Sequence, residues 1–298
     1  MAGETLTGYT GRIMIGLCGY YDVLLDNGQT VQTVARGKFR KSRIKPLAGD
    51  RVTVIRTEEE QGVFGSIVTI EERKNAFVRP PVANIDRAAI VLSSSAPLAD
   101  MLLADKLLIQ CLKAEVEPFL VLTKCDEGDE TFIREVTEEY SAFDVIATSS
   151  TAMTGIEEFR SRITGGITAL AGQSGVGKST LLNAAFPGFG LETGTLSRKV
   201  DRGRHTTRAS QILALEEGRF VIDTPGFSLM DTQKMDPEEL KYCYPEFEGL
   251  DDRCRFRNKC LHAGEPGCAC TVPYENGRMV RYRMLLDEQR EKWKKRFD

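Results

Sequence analysis

Hydrophobic positions in the first quarter of the chain fall in short β-type runs, Gly11 to Ile15, Tyr20 to Leu25, Thr30 to Ala35, Arg51 to Ile55 and Phe64 to Ile70. No long amphipathic stretch separates them, so strands joined by turns are predicted. Asp26-Asn27-Gly28 is a strong hairpin signal between the second and third runs. Five short strands of this kind suggest a small closed barrel, most commonly the five-stranded oligonucleotide-binding barrel. Arg79-Pro80-Pro81 then breaks regular structure and predicts a linker.

From about residue 86 the pattern changes to alternating strands and helices. Ala88 to Leu92, Val116 to Leu122, Val145 to Ala147 and Ile167 to Ala171 are apolar strands. Leu102 to Cys111, the face Ile133/Val136/Tyr140 and Ile156 to Ile163 are helical. Ile212 to Leu215 and Phe220 to Ile222 complete a sheet expected to be parallel and covered on both faces. Beyond Pro237 the chain turns helical, then cysteine-rich, then charged and helical to Asp298. The expected division is a barrel over residues 1–72, an α/β nucleotide domain over 73–235 and a helical metal-binding domain over 236–298.

A length of 298 residues with 41% hydrophobic content suits a multi-domain globular protein. No apolar run approaches the roughly 20 residues that span a bilayer, and Met1 to Thr5 form neither a basic nor an apolar leader. A cytoplasmic protein without membrane partners, monomeric, is therefore expected. The net charge of −3 does not suggest nucleic acid, but its distribution does. Arg36, Lys38, Arg40, Lys41, Arg43 and Lys45 fall within ten residues, and Arg253, Arg255, Arg257 and Lys259 surround a cysteine cluster.

Gly172-Gln173-Ser174-Gly175-Val176-Gly177-Lys178-Ser179 fits the phosphate-binding G-x-x-x-x-G-K-S loop. It follows an apolar strand and precedes a helix that starts with Thr180, which is the context that gives the motif meaning. Backbone N–H groups and the helix N-terminus would wrap the phosphates, Lys178 would meet the β and γ oxygens, and Ser179 would ligate Mg²⁺. Thr123-Lys124-Cys125-Asp126 ends another strand and fits the guanine motif, because a carboxylate at Asp126 accepts from both N1–H and the N2 amine, a donor pair that adenine lacks. Thr148 to Ser150 follows the next strand, and a backbone N–H there, assigned to Ser149, would meet the guanine O6.

Asp223-Thr224-Pro225-Gly226 lies forty-four residues beyond Ser179, placing a carboxylate for Mg²⁺ and the Gly226 N–H for the γ-phosphate. Between them, Thr207 is the preferred switch ligand to Mg²⁺ and γ-phosphate, with Thr206 the alternative. Phe227 stands where some GTPases keep a water-positioning glutamine. His205 is the candidate to orient water, the alternative being an exposed loop residue, and Arg202, Arg204 and Arg208 are alternatively contacts to RNA phosphate. The guanine motif precedes the phosphate loop, the reverse of the usual order. A circular permutation preserves such a site, because ligands of an open α/β sheet bind where several strand-end loops converge.

Cys254, Cys260, His262 and Cys268 supply three thiolates and an imidazole, a set suited to one structural, tetrahedral Zn²⁺. Cys270 is an alternative to Cys268. The eight cysteines are too few and too clustered for a secreted disulfide scaffold. Three functions fit these motifs: a GTPase, a nucleotide-holding RNA-binding module without catalysis, and an ATPase or kinase, for which Asp126 would have no use.

Together, the permuted T-K-C-D, G-Q-S-G-V-G-K-S, R-H-T-T-R, D-T-P-G-F, C-R-F-R-N-K-C-L-H-A-G-E-P-G-C and the barrel segment Ala35 to Lys41 resemble the ribosome small-subunit-dependent GTPases of the RsgA/YjeQ type over nearly the whole chain. The resemblance implies an oligonucleotide-binding barrel, a permuted GTPase and a zinc domain. It also implies a slow Mg²⁺-dependent GTPase that binds GTP and GDP, is stimulated by the small ribosomal subunit, binds its rRNA, assists its late maturation and leaves on hydrolysis. In one respect the chain departs from the family pattern. Five residues rather than four separate Cys254 from Cys260, and a bulge in that loop is expected.

Overall fold

The structure, a computed structural model, describes residues 8–41, 44–57, 63–78, 80–189, 210–223, 235–273 and 275–294. Strands β1 (Gly8–Leu17), β2 (Tyr20–Leu25), β3 (Thr30–Ala35), β4 (Arg51–Arg56) and β5 (Gly65–Ile70) close a barrel in the order β1-β2-β3-β5-β4. All its neighbours are antiparallel except β3 with β5. Alternate residues Val23, Leu25, Val52 and Val54 point inward, joined by Ile13, Ile67 and Phe39 of the short helix α1 (Gly37–Lys41). A register shift between Ile13 and Ile15 moves Met14 out of the barrel and into the core of the neighbouring sheet.

The expected linker is instead a hairpin. Strands β6 (Ala76–Val78) and β7 (Pro81–Ala83) pair antiparallel, and Val82 bridges to Ala48 of the barrel. Prolines are tolerated at a turn and at the first residue of a strand, where no ladder N–H is needed, so Pro80-Pro81 shapes the hairpin rather than ending structure. Phe77, Val82 and Ile85 are buried with the sheet core.

The six-stranded sheet runs β10-β9-β8-β11-β13-β12, with β8 (Arg87–Ser93), β9 (Glu117–Thr123), β10 (Val145–Ala147), β11 (Gly166–Ala171), β12 (Ile212–Ala214) and β13 (Arg219–Asp223). Five strands are parallel; β12 is an antiparallel edge, contrary to the all-parallel expectation. Alternation along the strands divides the core. Ala88, Ile90 and Leu92 face α2 (Met101–Lys113) and α3 (Glu130–Glu139), whereas Ala89 and Val91 face α4 (Ile156–Arg162) and α5 (Lys178–Ala185).

The region after Pro237 is built from 3₁₀ turns at Pro237–Cys243, Pro245–Phe247, Asp251–Arg253 and Arg257–Lys259, followed by α6 (Gly277–Lys294). The prolines at 237 and 245 remove N–H donors and divide the expected helical stretch into short turns. Leu240, Tyr244, Phe247, Tyr282 and Leu285 form its core, which continues onto Ile109 of α2. A buried ionic cluster reinforces this contact. Asp105 of α2 accepts from Arg278 and Arg281 of α6, each at 2.6 Å, and from Tyr140 at 2.8 Å, while Arg281 also reaches Glu139 at 2.7 Å. Burial alone would depress both guanidiniums, yet the Asp105 carboxylate holds them above the ordinary arginine value.

Candidate functional site: a nucleotide cradle and a thiol–imidazole cluster

The phosphate-type loop and the guanine-type motif leave the carboxyl ends of β11 and β9, with β8 between them. Hydrogen bonds join the two loops. The Thr123 hydroxyl donates to the Val176 carbonyl at 2.6 Å and lies 3.1 Å from the Leu92 carbonyl. Lys124 takes a left-handed φ of 59°, and its ammonium reaches the carbonyls of Ala96 at 2.5 Å and Gly175 at 3.2 Å. Residues 50 or so positions apart are thereby held as one surface, whichever of them comes first in the chain.

Gly172 begins the loop at φ 142°, where an added Cβ would lie 2.2 Å from the Val91 carbonyl oxygen. Only glycine lets the backbone pass there. Lys178 lies over the loop, its ammonium donating to the carbonyls of Gly172 at 2.9 Å and Gln173 at 2.7 Å. Gln173 in turn accepts from the Asp100 N–H at 3.1 Å, linking the loop to the N-cap of α2. Gly177, at φ 93°, caps α5 and brings no side chain of its own to the first turn, a helix N-terminus of the kind that binds anions. Ser174, Gly175 and Thr180 are exposed, and Ser179 is partly buried in the first turn.

Asp223 ends β13 in register with Leu170, beside the start of the loop. Asp126 is exposed just beyond Thr123 and Lys124. Ser149 lies in a closed turn. Its N–H donates to the Thr154 carbonyl at 3.0 Å, and its hydroxyl accepts from the Ala152 N–H at 2.9 Å, a matter of turn register that strand periodicity does not reveal. His205, Thr206, Thr207, Gly226, Phe227 and the arginines at 202, 204 and 208 lie outside the described residues.

The second constellation brings Cys254, Cys260, His262 and Cys268 together, with one potential ligand atom of each within 4.8 Å of all the others. Cys254 Sγ and Cys268 Sγ both lie 3.5 Å from His262 Nδ1 and 4.0 Å from each other. Cys270 is not part of the group; its N–H instead donates to Cys268 Sγ at 3.4 Å, as that of Ala269 does to Cys254 Sγ at 3.1 Å. Between Cys254 and Cys260 the chain makes a 3₁₀ turn over Arg257–Lys259, entered with Arg257 at φ 47°. Burial pushes the Cys260 thiol up to about 12 and also raises that of Cys268. Three soft sulfurs, an imidazole and N–H groups aimed at sulfur make a donor set that fits a tetrahedral divalent metal.

Three residues around this cluster were not apparent from sequence. Asp251 lies 3.1 Å from His262 Nε2, Glu265 accepts from the N–H groups of Leu261 and Ala263, and Lys241 lies buried behind the loop. Glu265, between His262 and Cys268, and Asp251, three positions before Cys254, have a local signal, whereas Lys241 has none. Among the described residues, no helix is long and apolar enough to cross a membrane.

Comparison with known proteins agrees with this architecture. The profile of the RsgA GTPase family matches residues 70–233, and that of the RsgA N-terminal domain matches residues 10–64. The small ribosomal subunit biogenesis GTPase RsgA of Geobacillus thermodenitrificans is 40% identical over 278 residues, covering 92% of this chain and 93% of the relative. Its counterpart in Caldanaerobacter subterraneus is 39% identical over 294 residues, covering 96% and 98%. The crystal structure of YjeQ from Thermotoga maritima superposes with a TM-score of 0.79 at 34% identity, over 95% of this chain and 99% of that one. YloQ, described as a circularly permuted GTPase, gives 0.75 at 29% identity over 98% of each.

Proposed function

The chain belongs to the RsgA GTPase family and is a GTP hydrolase, and from that premise we propose that it binds the small ribosomal subunit through rRNA, assists its late maturation and is released when GTP is hydrolysed. The barrel of residues 1–72 and the metal-binding region of residues 236–298 would both touch RNA, flanking a catalytic domain of residues 73–235. Arg36, Lys38 and Lys45 on the barrel and Arg253, Arg255, Arg257 and Lys259 around the thiol cluster are exposed, as phosphate contacts must be.

The observation that supports the catalytic assignment is the junction of Thr123 and Lys124 with Val176 and Gly175, which joins the T-K-C-D turn to the G-Q-S-G-V-G-K-S loop on one surface. In this reading Asp126 selects guanine, and the N–H groups from Gly172 to Thr180 bind phosphate. Lys178 leaves the loop carbonyls to neutralise the β and γ oxygens. Ser179 and Thr207 would hold Mg²⁺, with Asp223 nearby, and the ion would supply charge neutralisation at the phosphates. Gly226 would sense the γ-phosphate, and His205 would orient water. Cys254, Cys260, His262 and Cys268 would hold one Zn²⁺, which would supply folding stability to a loop-rich segment.

Loss of γ-phosphate contacts at Thr207 and Gly226 would release the segment leading into the metal-binding region and loosen its grip on RNA. The test is affinity for purified small subunits, with GDP and with a non-hydrolysable GTP analogue, across a salt series. Tighter binding with the analogue and a steep loss with salt are expected. Equal affinities would remove the nucleotide switch, and a flat salt response would remove the phosphate-dominated RNA contact.

A further inference from the structure

Lys241 is 2% exposed, and its ammonium is nevertheless surrounded by partners that have no part in the nucleotide site. An ammonium carries three donors, and burying it unpaired is prohibitive. Here three acceptors meet it: Asp251 Oδ1 at 2.8 Å, the Asn258 carbonyl at 2.5 Å and the Cys260 carbonyl at 3.1 Å. Each acceptor leads to the thiol–imidazole cluster. Cys260 is one of its four members, Asn258 lies in the loop joining Cys254 to Cys260, and Asp251 Oδ1 is also the atom 3.1 Å from His262 Nε2.

We propose that Lys241 is a positioning residue for the metal, fixing two of its four ligands from a single buried charge. It holds Cys260 through the backbone carbonyl. It holds His262 through Asp251, whose carboxylate accepts the Nε2 proton and so leaves the Nδ1 lone pair facing Cys254 and Cys268 at 3.5 Å. A carboxylate behind a ligating histidine sets ring tautomer and plane. This carboxylate is itself held by the ammonium, so the ring has little freedom to swing away. The loop needs such a brace, because Arg257 at φ 47° is in a conformation that disfavours any residue with a side chain. Tying the carbonyls of Asn258 and Cys260 to one cation keeps that turn closed.

The proposal rests on the metal reading above, and the experiment separates the two. Zinc content of the full-length wild-type protein is measured first, then zinc release to a chromophoric chelator for the wild type, Lys241→Met, Asp251→Asn and Leu285→Ala. Leu285 is fully buried in the same core and its side chain carries no polar atom to join the relay, so its variant reports what general loosening does. Release is expected to accelerate by about ten- to a hundredfold in Lys241→Met, with Asp251→Asn in between because its amide oxygen still accepts from His262. At equal thermal destabilisation, Leu285→Ala should release zinc more slowly than Lys241→Met. In Co²⁺-substituted protein, the ligand-field bands should shift for Lys241→Met but not for Leu285→Ala, since only the former frees the imidazole plane. Wild-type protein without zinc would overturn the metal site and the relay together. Wild-type protein with one zinc, and a Lys241→Met variant no faster than Leu285→Ala with unshifted cobalt bands, would overturn the relay alone.

Discussion

Replacing Thr123 by valine tests whether the joint between base loop and phosphate loop matters for nucleotide binding. The side chain is 4% exposed and Val176 is fully buried, so valine fits the space and deletes only the hydroxyl. That hydroxyl has one proton, and the shorter contact, 2.6 Å to the Val176 carbonyl, receives it. A buried carbonyl left without a partner costs about 1–3 kcal/mol. The molecule can take this loss in two ways. If the loop keeps its shape, the folded state loses the whole amount, which in a unit of this size lowers Tm by about 2–4 °C per kcal/mol. If the loop turns the carbonyl to water, the binding-competent population falls instead, and every 1.4 kcal/mol weakens apparent affinity about tenfold. Ser174 and Gly175 are exposed, so water can reach the turn once the hydroxyl is gone, and the larger part should appear in affinity. Titration of a fluorescent GDP analogue should then give a Kd raised by about fivefold or more, with a smaller drop in Tm. A variant within about twofold in Kd and about 1 °C in Tm would refute the reasoning.

Three other outcomes are expected. Asp105→Asn strips the counter-charge from two buried guanidiniums and should destabilise the protein by at least about 3 kcal/mol in denaturant unfolding, with a coupling energy to Arg281→Met in a double-mutant cycle; additivity of the two would show that the cluster carries no such interaction. His205→Ala should reduce subunit-stimulated turnover far more than GTP affinity, because orienting water acts on the transition state; equal losses would mark it as a structural loop residue. The Arg51 hydrogen bonds, with a contribution from Thr10, hold the Asp26 carboxyl down at about 2. A depressed folded-state pKa means that this contribution is present above the unfolded carboxylate value and is lost as pH falls toward the folded one, so NMR titration should show Asp26 still ionised at pH 3, and an ordinary midpoint would contradict it.

The elements legible in the sequence are those whose periodicity has a single explanation. Val52 and Val54 alternate with Arg51 and Thr53, and such strands could form only a half-buried sheet. The cluster of Cys254, Cys260, His262 and Cys268 was signalled by residue type and spacing. The exclusion of Cys270 was not, because it depends on the path of the backbone after Gly267, at φ 85°. The hairpin around Pro80-Pro81 was hidden because proline signals a turn and a break alike. Strand β12, three residues long, has no period that could reveal its direction. Asp105 and its two arginine partners are 173 and 176 positions apart, so nothing local marked them as partners. Lys241 looked like any surface lysine in a charged stretch until its three acceptors were placed around it.

Guanine selectivity from a motif that precedes its phosphate loop is the claim on which the permuted site stands, and Asp126→Asn tests it most directly. Mg²⁺-dependent hydrolysis would be measured for wild-type and variant protein with GTP, ATP and xanthosine triphosphate. The wild type should hydrolyse GTP and discriminate strongly against ATP. The variant, whose amide meets the xanthine 2-oxo group as a donor, should lose GTP activity and gain activity with xanthosine triphosphate. A variant that keeps the wild-type preference for GTP would mean that the base is read elsewhere, and that Thr123 to Asp126 is not the guanine site.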